Sequence, residues 1–362
     1  MADNGNEAEE KMAKALFISN DCWLKVFELL PPSQLGLGIA LISHRFDYYV
    51  EEHFKTRKWA LKMIHIERTI GENGTKQMQI ANFDAKILPI PQVQLPRRVI
   101  GFERIFIFFI DQNTIAFLRH FRQLFAACPI NLLIKENSDR ILMSIFRNIW
   151  PMIAKNICGM HLFPNVFRRL RQFVPAILNE CPSLRIVNLY GTDMFPEFPA
   201  DDSAAASDGQ AVAKWFFTPL QNDVPKVFVC WMPRNDVNWR LKFPAFETPF
   251  FNASTPVNFI VVIWFHYSFM PAVEKVPPFD ALTNELTGEQ LTFKKTDNWR
   301  RFLLVRCPIE RDADKWAKWE KEAIDWQIRD QWNQIGIKIN DEDEIGDGLL
   351  DETPGSSDQQ QK

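Results

Sequence analysis

Apolar residues take on helical spacing early in the chain. Trp23, Val26, Phe27 and Leu30 share one helical face, and either Asn20 or Asp21 can cap the helix that carries them. Pro31-Pro32-Ser33 ends that helix and restarts the chain, because proline cannot continue a helix but suits the first turn of the next. Leu35, Leu37, Ile39, Leu41 and Ile42 follow, and His44-Arg45-Phe46 opens another polar-aromatic segment. The pattern predicts three short amphipathic helices between Ile18 and Phe46. A segment so small and so apolar cannot bury all its hydrophobic surface alone, so it must dock on something.

Farther along, strand-like apolar runs begin near Arg104, Asn131, Ile157 and Leu184. Their starts lie about 27 residues apart, within the period of leucine-rich-type repeats. Helical patterns fill the gaps. Ile115, Leu118, Phe121, Leu124 and Phe125 share a face between Thr114 and Phe125. Ile141, Leu142, Ile145, Phe146 and Ile149 do so in the next gap, and Phe167, Leu170, Phe173, Val174 and Ile177 in the third. Strand and helix alternating at even spacing predict a βα array on a parallel sheet. Each repeat of such an array buries its face against its neighbours and leaves a long curved surface suited to binding.

The regularity loosens after Phe195–Pro199. Residues 201–210 read as a small polar loop or helix entry, Lys214 to Phe217 as a helix end, and Val227 to Trp231 as a fifth strand. Residues 233–256, rich in Pro, Asn and Phe, read as an irregular insertion. Val257–Phe265, Glu289–Lys294 and Arg301–Arg306 read as strands, the last two close enough for an antiparallel hairpin. Glu310–Trp332 reads as one helix with Trp316, Trp319, Ala323 and Trp326 in a stripe. That stripe either grips a partner or caps the end of the sheet, and the cap is the expectation. The fold class expected is therefore α/β. A helical motif (16–60) precedes a βα array (61–335) with an antiparallel strand edge and a C-terminal helix, between disordered ends (1–15 and an acidic 336–362).

Composition narrows the function. The chain has 362 residues, 46% of them hydrophobic, enough for a large core. Its charges nearly cancel at a net of −3, which argues against nucleic acid as the main partner. The basic runs at Arg97-Arg98, Arg168-Arg169 with Arg171, and Arg300-Arg301 read as solvated faces. The acidic start lacks a signal pattern, and no apolar run approaches the roughly twenty residues of a membrane helix. A cytoplasmic or nuclear location, with no membrane partner, is expected, so the sequons at Asn73 and Asn252 carry no glycan on this view.

The six cysteines never form a Cys-x-x-Cys pair and read as buried hydrophobes in a reducing compartment. The six histidines are dispersed, and no nucleophile elbow, zinc, phosphate-loop or dinucleotide motif occurs. No catalytic residue, metal or cofactor is expected.

One register connects the first stretch to a known pattern. Ile18-Ser19-Asn20-Asp21, Val26-Phe27, Leu30-Pro31, Leu35 and Ile42-Ser43-His44-Arg45-Phe46 fall where an F-box has Leu-Pro-x-Glu, core aliphatics, a second Leu-Pro, a leucine-rich helix and Val-Cys-x-x-Trp. The segment resembles an F-box, with Ser19, Ser43 and Phe46 in place of the first proline, the cysteine and the tryptophan. More of the chain is similar to a lineage-expanded nematode F-box family. The phrases that carry this likeness include Pro89-Ile90-Pro91-Gln92-Val93, Phe195-Pro196-Glu197-Phe198-Pro199-Ala200 and Leu303-Leu304-Val305-Arg306-Cys307-Pro308-Ile309.

The resemblance implies a substrate-recognition subunit of an SCF-type cullin ubiquitin ligase. It would bind a Skp-type adaptor, and through it a cullin, and present an unidentified protein target. It would not be the catalytic ligase module, which in RING form needs clustered zinc ligands. Ile18, Trp23, Val26, Phe27, Leu30, Pro31, Leu35, Ile42 and Phe46 would make the adaptor contact or the motif's own core, two roles that sequence does not divide. The alternative is a non-catalytic interaction scaffold with a degenerate F-box packed on the array. Exposure discriminates, because adaptor binding needs the apolar face of the segment in water.

Overall fold

Strands covered on both faces must be apolar throughout, and runs of this kind between Ile130 and Phe265 set the architecture. The computed structural model describes residues 18–30, 35, 39–56, 58–70, 76–82, 87–88, 99–135, 138–190, 194–221, 223–232, 243–265, 281–298, 300–339 and 349. Residues 1–17, Pro31 to Gln34 and most of the acidic tail lie outside the described residues, as does the phrase at 89–93. The chain divides into two compact units, Met1–Trp59 with Pro96–Val99, and Ala60–Leu95 with Ile100–Lys362.

The first unit holds helix α1 (Asn20–Phe27), a 3-10 turn at Ala40–Ile42 and helix α2 (His44–Thr56). The second is mixed α/β on one large mixed sheet. It opens with strands β1 (Trp59–Ile70), β2 (Lys76–Asn82), β3 (Ile87–Leu88) and β4 (Val99–Ile107). Helices α3 (Gln112–His120) and α4 (Arg122–Ala127) lead to β5 (Ile130–Ile134). Next come α5 (Asp139–Asn148), α6 (Trp150–Ile153) and β6 (Ile157–Leu162), then α7 (Pro164–Phe173) and β7 (Ile186–Tyr190). Helix α8 (Asp208–Phe216) precedes β8 (Lys226–Met232), and α9 (Glu247–Phe251) precedes β9 (Phe259–Phe265). Strands β5 to β9 are parallel neighbours in chain order, so each pair needs a crossover connection.

Local chemistry starts these helices where the chain needs them. Asp111 and Ser138 cap α3 and α5 by accepting from the Thr114 and Ile141 amides, proline occupies the first turn of α7, and Ser207 with Gln210 forms a capping box on α8. The single helix expected from Thr114 to Phe125 breaks at Phe121, whose backbone (φ −84°, ψ −3°) tightens into a turn. Its apolar face survives the break: Phe121 stacks on Phe125 at 5.8 Å and meets Phe117 edge-on at 4.9 Å.

The antiparallel edge is present. Strands β10 (Leu282–Asn284), β11 (Glu289–Lys295) and β12 (Arg301–Pro308) pair antiparallel, and β12 adds antiparallel to β9. One buried ion pair clamps this edge. Arg306 Nη2 donates to Glu289 Oε2 at 2.6 Å, with both side chains essentially free of solvent and the guanidinium 5.2 Å from the centre of the Phe250 ring. Glu289 Oε1 also accepts from the Val257 amide at 2.8 Å.

Two features of the C-terminal region correct the sequence reading. Helix α10 spans Ala313–Asp325, shorter than Glu310–Trp332, because Trp326 is already extended and Trp332 is exposed. It covers a face of the sheet instead of capping its end. Trp316, Ala323 and Trp326 pack on Val227, Val229, Ile260, Val262 and Leu303, the face opposite the side chains that meet Phe216 of α8. The strand surface expected to be open for binding is thus filled, in part, by the chain's own helix.

The second correction is strand β13 (Gln334–Ile337), which inserts between β4 and β5, parallel to both. The sheet order is β10-β11-β12-β9-β8-β7-β6-β5-β13-β4-β1-β2-β3. The first two strands of the expected array are therefore not neighbours, and the boundary placed between 335 and 336 falls inside a strand, with Ile339 beyond it still buried. Asn333 makes the insertion possible. It adopts φ 54°, a left-handed turn that asparagine tolerates. Its Oδ1 accepts from the Phe102 amide at 2.9 Å, and its carbonyl accepts from the Asn131 amide at 3.0 Å.

Two stability outcomes follow. A Cβ on Gly336 would sit 2.5 Å from the Phe106 ring, so Gly336→Val is expected to cost about 1–3 kcal/mol in a denaturant titration. Arg306→Met leaves Glu289 buried without its cation, and a loss of about 3–5 kcal/mol is expected by the same measurement.

Candidate functional site

The apolar residues of the first unit sort into a core and a surface. Phe27, Leu35 and Val50 are fully buried, and Trp23, Leu24, Leu30, Ile39, Phe46 and Tyr49 pack partly buried around them. Trp23 meets Phe46 edge-on at 4.8 Å, and Phe27 meets His53 at 5.7 Å. Polar contacts tie α1 to α2: the Tyr49 hydroxyl donates to Asn20 Oδ1 and accepts from Arg45 Nε. Asn20 is thus engaged across helices, and Ser19, not Asn20 or Asp21, caps α1 by accepting from the Cys22 amide.

The structure separates the residues that sequence had grouped. Phe27 and Leu35 are core; Trp23, Leu30 and Phe46 are half-buried; Ile18, Val26 and Ile42 are exposed; Pro31 lies outside the described residues. The three departures from the F-box pattern have local roles. Ser19 caps α1, Ser43 Oγ accepts from the Phe46 amide at the start of α2, and Phe46 supplies the ring that closes on Trp23.

Residues not assigned to the site from the sequence are Leu29, Leu41 and Tyr48, at 84%, 77% and 59% exposed. Leu29 has a readable signal, since it is apolar yet lies beside the stripe of Trp23, Val26, Phe27 and Leu30. Among the described residues, six of the eleven large exposed hydrophobic side chains fall between Ile18 and Tyr48. These solvent-facing apolar side chains are concentrated on a short stretch of the chain.

In the second unit the shifted thiols and the shifted histidine among the described residues owe their shifts first to burial. Burial pushes the Cys128 and Cys158 thiols up to about 11 and Cys181 higher still, so these sulfurs stay protonated at neutral pH and are poor nucleophiles. Burial lowers His161 to about 4, leaving a neutral imidazole in the sheet. Among the described residues no group of three or more His, Cys, Asp or Glu side chains could hold a metal ion, and no helix is long and apolar enough to cross a membrane.

The core-and-surface division has a direct check. Phe27→Ala is expected to destabilise the first unit by about 3–5 kcal/mol, read as faster hydrogen exchange in α1 and α2. Leu29→Ala should leave that exchange within about 0.5 kcal/mol of wild type.

Comparison of the chain with family models, with curated proteins and with solved structures gave no match in any of the three.

Proposed function

We propose that this chain is the substrate-recognition subunit of an SCF-type cullin ubiquitin ligase. On this reading the helical unit is a divergent F-box that binds a Skp-type adaptor and through it a cullin. The second unit, a leucine-rich-repeat-like array with an inserted C-terminal strand, holds a protein target, and the assembly works in the cytoplasm or nucleus.

The observation that supports the reading is the exposed apolar group Val26, Leu29, Leu41 and Ile42 on a unit whose own core is already closed by Phe27, Leu35 and Val50. Burying a leucine or isoleucine contributes about 1.5–3 kcal/mol, so a partner that covers this group gains what the small unit cannot gain alone. The chain performs no bond chemistry in this role. It raises the effective concentration of a target lysine near the transfer site, which is a positional contribution to rate.

The test is a pull-down with purified Skp-type adaptor, comparing wild type with Leu29→Asp/Ile42→Asp. Both positions are exposed, so the variant should fold normally, while charge in an apolar contact costs several kcal/mol. Binding by wild type and its loss in the variant is the expected result. A folded wild-type chain that binds no adaptor, or a variant that binds equally well, would leave an interaction scaffold without a ubiquitin role.

A further inference from the structure

Charge is distributed unevenly along the second unit. Between Gln112 and Asn179 the sequence has nine lysines and arginines against two acids, in a chain whose net charge is −3. The helices of this stretch bury their apolar stripes and turn most of the cations outward, Arg171 excepted, which is buried against Asp208. Arg119, Arg122, Arg140, Arg147, Lys155 and Arg168 are all exposed, whereas Asp139 is the one exposed acid among the described residues of the stretch. The helices are neighbours, α4 against α6 and α5 against α7, so these side chains share one layer. The opposite face of the sheet carries α10.

Two ordinary explanations cover only part of this. Helix macrodipoles favour cations in a last turn, which accounts for Arg119 and Arg147. Arg122, however, opens α4, and Arg140 stands in the first turn of α5, where a cation is disfavoured. Local ion pairing accounts for Arg168 and Arg169, which meet Asp208 and Asp139 at 3.0 and 2.8 Å. Among the described residues no carboxylate forms an ion pair with Arg119, Arg122, Arg147 or Lys155.

The chain itself contains a complement. Residues 340–362 have eight acidic side chains and one lysine. This segment leaves from Ile339, just past β13, where the Lys135 amide donates to the Ile337 carbonyl at 2.9 Å. Its departure point is therefore beside the end of β5. A chain of that length reaches at most about 80 Å, against roughly 10 Å between packed helix axes. It can cross the whole layer.

We propose that the outer face of α3 to α7 is a docking surface for acidic polypeptide, and that the chain's own residues 341–358 occupy it until a partner with an acidic segment displaces them. An acidic peptide is favoured over nucleic acid because the chain itself supplies one, leaving from beside this layer, and because the net charge of the whole chain is −3. The inference stands on the second unit alone and holds whether or not the first binds an adaptor.

The probe is a fluorescein-labelled peptide with the sequence of residues 341–361. It is titrated by anisotropy into the full-length chain and into a chain ending at Asn340, which keeps β13 and Ile339. The shortened chain should bind at least about tenfold tighter, because the tethered segment competes at high effective concentration. Raising the salt should weaken that binding. Arg122→Glu/Arg147→Glu/Lys155→Glu in the shortened chain should lose at least about tenfold in affinity. The corresponding glutamine triple, which adds no repulsion and guards against misfolding, should fall between. Equal affinity for the full and shortened chains would overturn the proposal, as would binding untouched by both triples. Tighter binding of a short oligothymidylate than of the peptide would overturn it in favour of a nucleic-acid site.

Discussion

The second unit depends on the hydrogen-bond ladder of a four-residue strand. Gln334–Ile337 pairs on one side with β4 and on the other with β5, both parallel. Without it β1 to β4 form one sheet and β5 to β12 another, joined through α3 and α4. A buried strand must satisfy its amides and carbonyls on both edges, and here residues more than two hundred positions downstream of β4 supply the partner groups. The flanking contacts fix the register: Asn333 bonds the backbone of both Phe102 and Asn131, and Asn131 Nδ2 bonds the Trp332 carbonyl at 2.9 Å. Gly336 then passes the Phe106 ring at a distance that any side chain would obstruct.

This closure carries a kinetic consequence. The pairing of β13 with β4 and β5 joins residues more than two hundred positions apart in the chain. Non-local pairing of this kind is slow, because the loop entropy is lost before the contacts form. Until then β4 and β5 present open edges, which are templates for pairing with other chains.

How much of this was legible in the sequence follows from what each element needs. Strands β5 to β9 are buried on both faces, so they appear as apolar runs bounded by caps and turns, and their order follows from short crossovers. The hairpin of β11 and β12 was legible for the same local reason. β13 was not read, although Ile335, Ile337 and Ile339 alternate with Gln334, Gly336 and Lys338, because the run is short, borders the acidic tail, and has neighbours chosen by topology. The tryptophan stripe of α10 announced an apolar face but not which surface it would cover. In the first unit, helical spacing identified Trp23, Val26, Phe27 and Leu30 as one stripe; only packing showed that Phe27 turns inward while Val26 stays in water. Leu41 was read only as one of an apolar run and Tyr48 not at all, because an apolar residue in a short turn or a polar helix is unremarkable until its exposure is known.

On the proposed reading the two units present surfaces of different physical kinds. The exposed group on the helical unit is apolar, and burial of such area gives affinity that salt barely alters. That suits a constant partner such as an adaptor. The outer layer of the second unit is cationic, and among the described residues Arg119, Arg122, Arg147 and Lys155 form no ion pair with a carboxylate. Contacts of that kind steer encounters and raise association rates, yet weaken with ionic strength and are sensitive to competing charge. Such a surface suits partners that come and go. A basic face left open would collect any acidic chain it met, so an acidic segment on the same polypeptide acts as a filter: a competitor must exceed the effective concentration of a tethered ligand before it is held. Specificity then arises from what a target adds beyond charge, in the apolar and shape contacts that a run of aspartate and glutamate cannot make.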